Sequence, residues 1–123
     1  KLLLSKGANV NAQGGYYGNA LQAASVKGND KIVELLLSKG ANVNAQGGYF
    51  GNALQAALVE GNDKIVELLL SKGANVNAQG GKYGNALQAA SFQGNDKIIE
   101  LLLRKGADVN TQGGYYGNAL QAA

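Results

Sequence analysis

The apolar residues of this chain fall in short clusters with helical spacing. In the best-defined cluster Ile32, Leu35 and Leu36 interleave with Val33, Leu36 and Leu37. These are two i, i+3, i+4 sets, and together they make a wide apolar face. A shorter alanine-rich stretch, Ala20-Leu21-Gln22-Ala23-Ala24, precedes it, and an alternating polar run, Ala41 to Gly48, follows it. The pattern predicts a helix, a second helix and a short extended segment that enters a turn.

The boundaries carry their own signals. Asn19 is a good N-cap, because its side-chain oxygen can accept from the free amides of the first helical turn. Gly28 suits the left-handed backbone at a helix stop, and Gly40 does the same for the second helix. That second helix is predicted over Lys31 to Ser38, opened by Asn29-Asp30. Asp30 and Lys39 lie at its positive and negative dipole ends, both in the favourable sense. Lys31 and Glu34 mark its polar edge.

The unit is 33 residues long and is written repeatedly. Asn19–Gly51 and Asn52–Gly84 agree at 29 of 33 positions, and Asn85–Gly117 agrees with Asn19–Gly51 at 26 of 33. Residues 1–18 are the second half of a further copy, and 118–123 open another. A fixed period of this size means a stacked array. Each unit is too small for its own core, so the core runs through the stack. With no Pro or Ser-rich linker, residues 1–123 are assigned to a single all-α repeat domain. The chain begins and stops inside helical patterns, which suggests an excised piece.

These residues resemble the ankyrin repeat. Ile32-Val33-Glu34-Leu35-Leu36-Leu37-Ser38-Lys39-Gly40-Ala41-Asn42-Val43-Asn44-Ala45 follows that family's second helix and its Gly-Ala-Asp-Val-Asn-Ala exit. Arg104 to Asn110 restores the family aspartate at Asp108. The resemblance implies an ankyrin solenoid with helix–turn–helix pairs, hairpin tips and a protein-binding role. The family's Thr-Pro-Leu-His helix start is replaced here by Asn19-Ala20-Leu21-Gln22. Gln22 is expected to take over the hydrogen bonds that a His makes between repeats. The hairpin aspartate is replaced by Gly47 and the turn glycine by Phe50, so the turn geometry stays open. The Gly-Asn-Ala-Leu-Gln-Ala-Ala wording, in near-identical copies, also resembles the arrays of fungal NOD-like receptors. In those receptors the array is thought to be the sensor attached to a nucleotide-binding switch.

Composition narrows the chemistry. There is no His and no Cys, so the usual general base, a thiolate zinc site and a disulfide frame are all missing. Ser25, Ser38, Ser71 and Ser91 have no His partner for a triad. The Gly47-Gly48-Tyr49-Phe50-Gly51 run lacks the Lys-Ser/Thr of a phosphate loop. Asp30 and Glu34 share a helix face but read as helix-start charges. The chain is therefore expected to be non-catalytic, with no cofactor and no metal. The formal charge of +3 falls to +1, 0 and 0 over the three full units, which argues against nucleic acid as the partner. No apolar run approaches the ~20 residues of a membrane helix. Absence of cysteine fits a reducing, cytoplasmic location.

Differences among the copies point to a binding surface. The first variable column is Tyr16, Tyr49, Lys82, Tyr115, and because it admits a lysine it is expected to face water. The next is Tyr17, Phe50, Tyr83, Tyr116, aromatic throughout and expected to pack between repeats. Two more are Val26, Val59, Phe92 and Lys27, Glu60, Gln93. The family resemblance places the first, third and fourth of these on the concave, partner-facing side. Stacked helices lie roughly 8–10 Å apart, so each column is expected to form a ladder with that rung spacing. Ser25/Leu58/Ser91 is expected to adjust helix packing. A competing reading is a structural spacer, natural or designed, that stacks head to tail through Leu2, Leu3, Leu4 and Leu120.

Overall fold

A computed structural model describes residues 9–109. It contains six helices in three pairs: α1 (Ala20–Lys27) with α2 (Asp30–Ser38), α3 (Ala53–Glu60) with α4 (Asp63–Ser71), and α5 (Ala86–Gln93) with α6 (Asp96–Arg104). No β-strand occurs among the described residues. The predicted second helix is one residue longer at its start, because Asp30 is already helical.

The caps form as the sequence implies. The side-chain oxygens of Asn19, Asn52 and Asn85 accept from the amides of Gln22, Gln55 and Gln88. Gly28, Gly61 and Gly94 close the first helices with φ near +75°. Each second helix ends at a lysine whose amide still bonds back to the helix, and the following glycine has φ between +93° and +97°.

First helices pack on one another through small side chains. α1 lies against α3 and α3 against α5, and Ala56, Ala57, Ala89 and Ala90 are fully enclosed. Second helices touch their successors much less. The apolar face of each second helix is narrower in the fold than in the pattern. Val33 and Leu36 are wholly buried, Ile32 and Leu37 are half-buried, and Leu35 remains 40% exposed. The core nevertheless runs unbroken from Leu21 through Leu54 and Leu69 to Leu102.

The segments after α2 and α4 are not extended. Residues 42–45 form a turn closed by the Ala45 amide on the Asn42 carbonyl, 3.1 Å, with the Asn42 side chain accepting from Asn44 N. Short Asn side chains offer the backbone such local bonds in competition with a strand. The hairpin itself reduces to one antiparallel bridge, Gly47 to Gly51, repeated at Gly80 to Gly84.

Candidate functional site

The candidate surface is built on the tips, and the tips depend on their glycines. Gly48 and Gly81 have φ of +72° and +69°. A Cβ at Gly81 would lie 2.3 Å from the Phe50 carbonyl carbon, and one at Gly48 would lie 2.6 Å from the backbone of Tyr17 and Gly18. Glycine is therefore required twice over: by backbone conformation and by the next tip lying against it. This closeness allows direct main-chain bonds between successive repeats. Tyr49 N donates to Tyr16 O at 2.8 Å, and Lys82 N donates to Tyr49 O at 2.9 Å.

Hydrogen-bonded backbones lie about 4.8 Å apart, half the spacing of stacked helices. The side chains follow. Tyr16 and Tyr49 stack nearly parallel with ring centroids 4.9 Å apart. The expected rung spacing of 8–10 Å is thus corrected for the first column, because glycine lets the tips approach far more closely than helices can. Lys82 continues the ladder with its Nζ 5.4 Å from the centre of the Tyr49 ring, a cation–π contact. Tyr16 is 58% exposed, Lys82 is exposed and Tyr49 is half-buried. Tyr115 lies outside the described residues.

The second column packs inward. Phe50 and Tyr83 are buried, and Tyr17 stacks over Phe50 at 6.4 Å. Tyr17 is only half-buried, and the Lys27 ammonium stands 6.0 Å from its ring centre. Tyr83 meets Phe92 at 5.3 Å, which joins a tip to the end of α5.

The other predicted positions divide. Phe92 is 48% exposed, Val26 is half-buried, and Val59 is in the core. Lys27, Glu60 and Gln93 are all exposed, but the Gln93 amide donates to the Val59 carbonyl of the preceding first helix. The structure therefore brings Tyr16, Tyr49 and Lys82 into one contact group, and puts Phe92 beside Tyr83. It leaves Val59 without a solvent face. Ser25 and Ser91 bond back to Leu21 O and Leu87 O, each at 2.8 Å, while Leu58 is buried.

Several polar residues hold this surface in register. Gln22 Nε2 donates to Gly47 O at 3.0 Å and Gln55 Nε2 to Gly80 O at 2.8 Å, so each glutamine ties its first helix to the tip that closes the same 33-residue unit, where a bond to the next unit is expected. The pattern reading missed Asn11, Asn44 and Asn77. Each donates to a glycine carbonyl one repeat on, at 3.0–3.1 Å. Each also accepts an amide there: Asn42, Asn75 and Asp108 respectively. Their signal was an asparagine at the same step of every unit. Asn62 is likewise shared, its side-chain amide donating to the Ser25 carbonyl at 2.7 Å, and its oxygen makes no cap bond to its own helix.

The charges of the second helices balance locally. Lys64 Nζ lies 2.8 Å from Asp30 Oδ2 across α2 and α4. The hydrogen bond and charge of Lys64 hold the Asp30 carboxyl below its ordinary range, and Asp30 raises Lys64 in return. Removal from water, then the neighbouring Tyr49 and Tyr17, pushes the Tyr16 phenol up, so it stays a protonated donor. No cluster of acidic residues able to hold a metal occurs among the described residues, and no helix there is long and apolar enough to cross a membrane.

Comparison with known proteins gives two matches. A family model of ankyrin repeats in three copies matches residues 46–113, and the single ankyrin-repeat model matches residues 19–48. No curated protein matches the chain.

Proposed function

The chain belongs to the ankyrin-repeat family, whose repeats generally mediate protein–protein interaction and are typically non-catalytic, and from that premise we propose a protein-recognition module. Recognition uses the tip ladder and the adjoining ends of the first helices. The observation that carries this reading is the gathering of copy-to-copy differences. Tyr49 and Lys82 occupy equivalent positions and are in contact, and Phe92, the third residue of its column, meets Tyr83 of the tip. A uniform frame with changeable, ring-rich side chains gathered on its tips is suited to a protein surface, where Tyr is a favoured anchor.

The test is the double substitution Tyr49→Ala/Phe92→Ala in a binding titration against partners found by proximity labelling. Losing two interface anchors is expected to cost about 2 kcal/mol or more, roughly 30-fold in Kd. Unchanged affinity with an unchanged helical circular dichroism spectrum would reject the ladder as the binding face.

A finer reading is the sensor array of a fungal NOD-like receptor inside the cell, supported by the near identity of the copies. A nucleotide-binding loop in the parent sequence would bear it out, and matched polar capping repeats on both sides would count against it. The alternative of a self-stacking spacer draws on one observation: the same bonds recur at every step between repeats. A scattering mass that stays monomeric at all concentrations would reject it.

A further inference from the structure

The first column brings two phenols face to face. Tyr16 and Tyr49 belong to successive repeats, and their rings lie 4.9 Å apart with only 16° between the planes. Main chain fixes the pair. Tyr49 N donates to Tyr16 O at 2.8 Å, and Gly48 lies so near that an added Cβ would meet the Tyr16 carbonyl oxygen at 2.8 Å. Tyr17 also meets Tyr16, at 5.1 Å, but edge-on, with 89° between the planes. Tyr16 is 58% exposed, so a dissolved oxidant reaches its ring from water, and Tyr49 is half-buried. At the next step of the column stands Lys82, which has no phenol.

We propose that Tyr16 and Tyr49 form an oxidative coupling site, at which a one-electron oxidant of the peroxidase or oxygen-radical class joins the two rings as a dityrosine and staples one repeat to the next. Each phenol gives one electron to the oxidant and its hydroxyl proton to water, and becomes a neutral phenoxyl radical. The two unpaired electrons then pair in a carbon–carbon bond between ring positions adjacent to the hydroxyls. The hydrogen on each bonded carbon moves, as a proton carried by water, to the oxygen of its own ring, which restores both phenols. Two electrons and two protons have left; one hydrogen peroxide takes up both pairs as it becomes two waters. The geometry selects the pair. The unpaired electron of a phenoxyl lies in the π system, whose lobes stand perpendicular to the ring, so the new bond starts where one ring face meets another. Tyr16 and Tyr49 already have that arrangement, and Tyr16 and Tyr17 do not. Holding reacting groups in place converts a chance encounter into a rapid intramolecular step.

The test is photo-oxidation of the dilute array with a ruthenium complex and persulfate, followed by trypsin and mass spectrometry. Cutting after lysine puts Tyr16 and Tyr17 in fragment 7–27 and Tyr49 in fragment 40–64. These fragments are expected to appear joined, two hydrogens lighter than their sum, in protein of monomer mass. The joined species should persist in Tyr17→Phe and vanish in Tyr16→Phe and in Tyr49→Phe, substitutions that keep an aromatic ring in the stack. Its yield should fall roughly tenfold or more when the chain is oxidised in urea, where the fold no longer holds the rings together. The stapled array should also unfold at higher urea than untreated protein, because a cross-link restricts the unfolded chain as a disulfide does. A joined species that survives Tyr16→Phe, a yield as high in urea as in buffer, or coupling found only between separate molecules would overturn the proposal. None of these readouts involves a partner, so the recognition role stands or falls separately.

Discussion

At Gly81 the side chain is missing because another backbone occupies the space. The nearest atom to an added Cβ would be main chain, which cannot swing aside as a flexible side chain does. Gly73 offers the control: its φ is +93°, yet no atom lies within 4 Å of an added Cβ. Gly73→Ala should therefore show only backbone strain, about 1 kcal/mol, whereas Gly81→Ala should lose about 3 kcal/mol once overpacking is included. Urea unfolding of the two variants checks the difference. A sequence reveals that glycine stands at this step in every copy, and so predicts a turn. It does not reveal that the limiting contact comes from residue 50, a full repeat earlier. The same blindness hid the role of Asn44. A reader of local pattern sees a polar loop residue, while its side chain bridges to Gly73 and Asn75.

Elements are linked across repeats by side chains that leave their own helix. Asp30 opens α2 but pairs with Lys64 of α4, so a dipole charge doubles as an inter-repeat contact. The sign of its pH dependence follows from its lowered carboxyl. The contribution is present above the ordinary Asp pKa and is lost as pH falls through the lowered folded value. The raised Lys64 contributes below the ordinary Lys pKa, and its share is lost as pH rises through the folded value. Because both groups face solvent, salt should weaken the pair. Carboxyl NMR titration should find Asp30 below the ordinary Asp range in wild type and return it toward that range in Lys64→Ala. The helices themselves were legible because their signals are local: N-cap Asn52, stop Gly61, and i, i+3, i+4 spacing in 65–70. The extended segment was misread for the opposite reason. Its alternation is real, but Asn42 satisfies Asn44 within the chain, and the lateral bonds go to neighbouring repeats. The site was legible as a set of columns and misjudged in depth. Val59 aligns with exposed Phe92 yet is buried, because exposure depends on what the flanking repeats place around it.

At the scale of the molecule, helix packing among the described residues runs within repeats and between adjacent ones, so stability is set by nearest neighbours. The middle repeat is covered on both sides. Seven residues of α3, Ala53 to Val59, are buried, against four in α1. Hydrogen exchange should accordingly be slowest in α3 and α4 and faster in α1 and α6, with protection falling off by steps of a repeat. Uniform protection across 20–104, as in a closed globule, would contradict a stack.

Asn11, Asn44 and Asn77 each reach one repeat on in the same way, so the described junctions share one asparagine bonding scheme. Splicing in or removing a whole block of thirty-three residues would leave each surviving junction chemically intact, while changing which rings and cations sit side by side. Losing thirty-two or gaining thirty-four would break the register. Recombination between near-identical copies could therefore reshuffle specificity without challenging the fold, which makes this architecture a readily edited text as well as a scaffold.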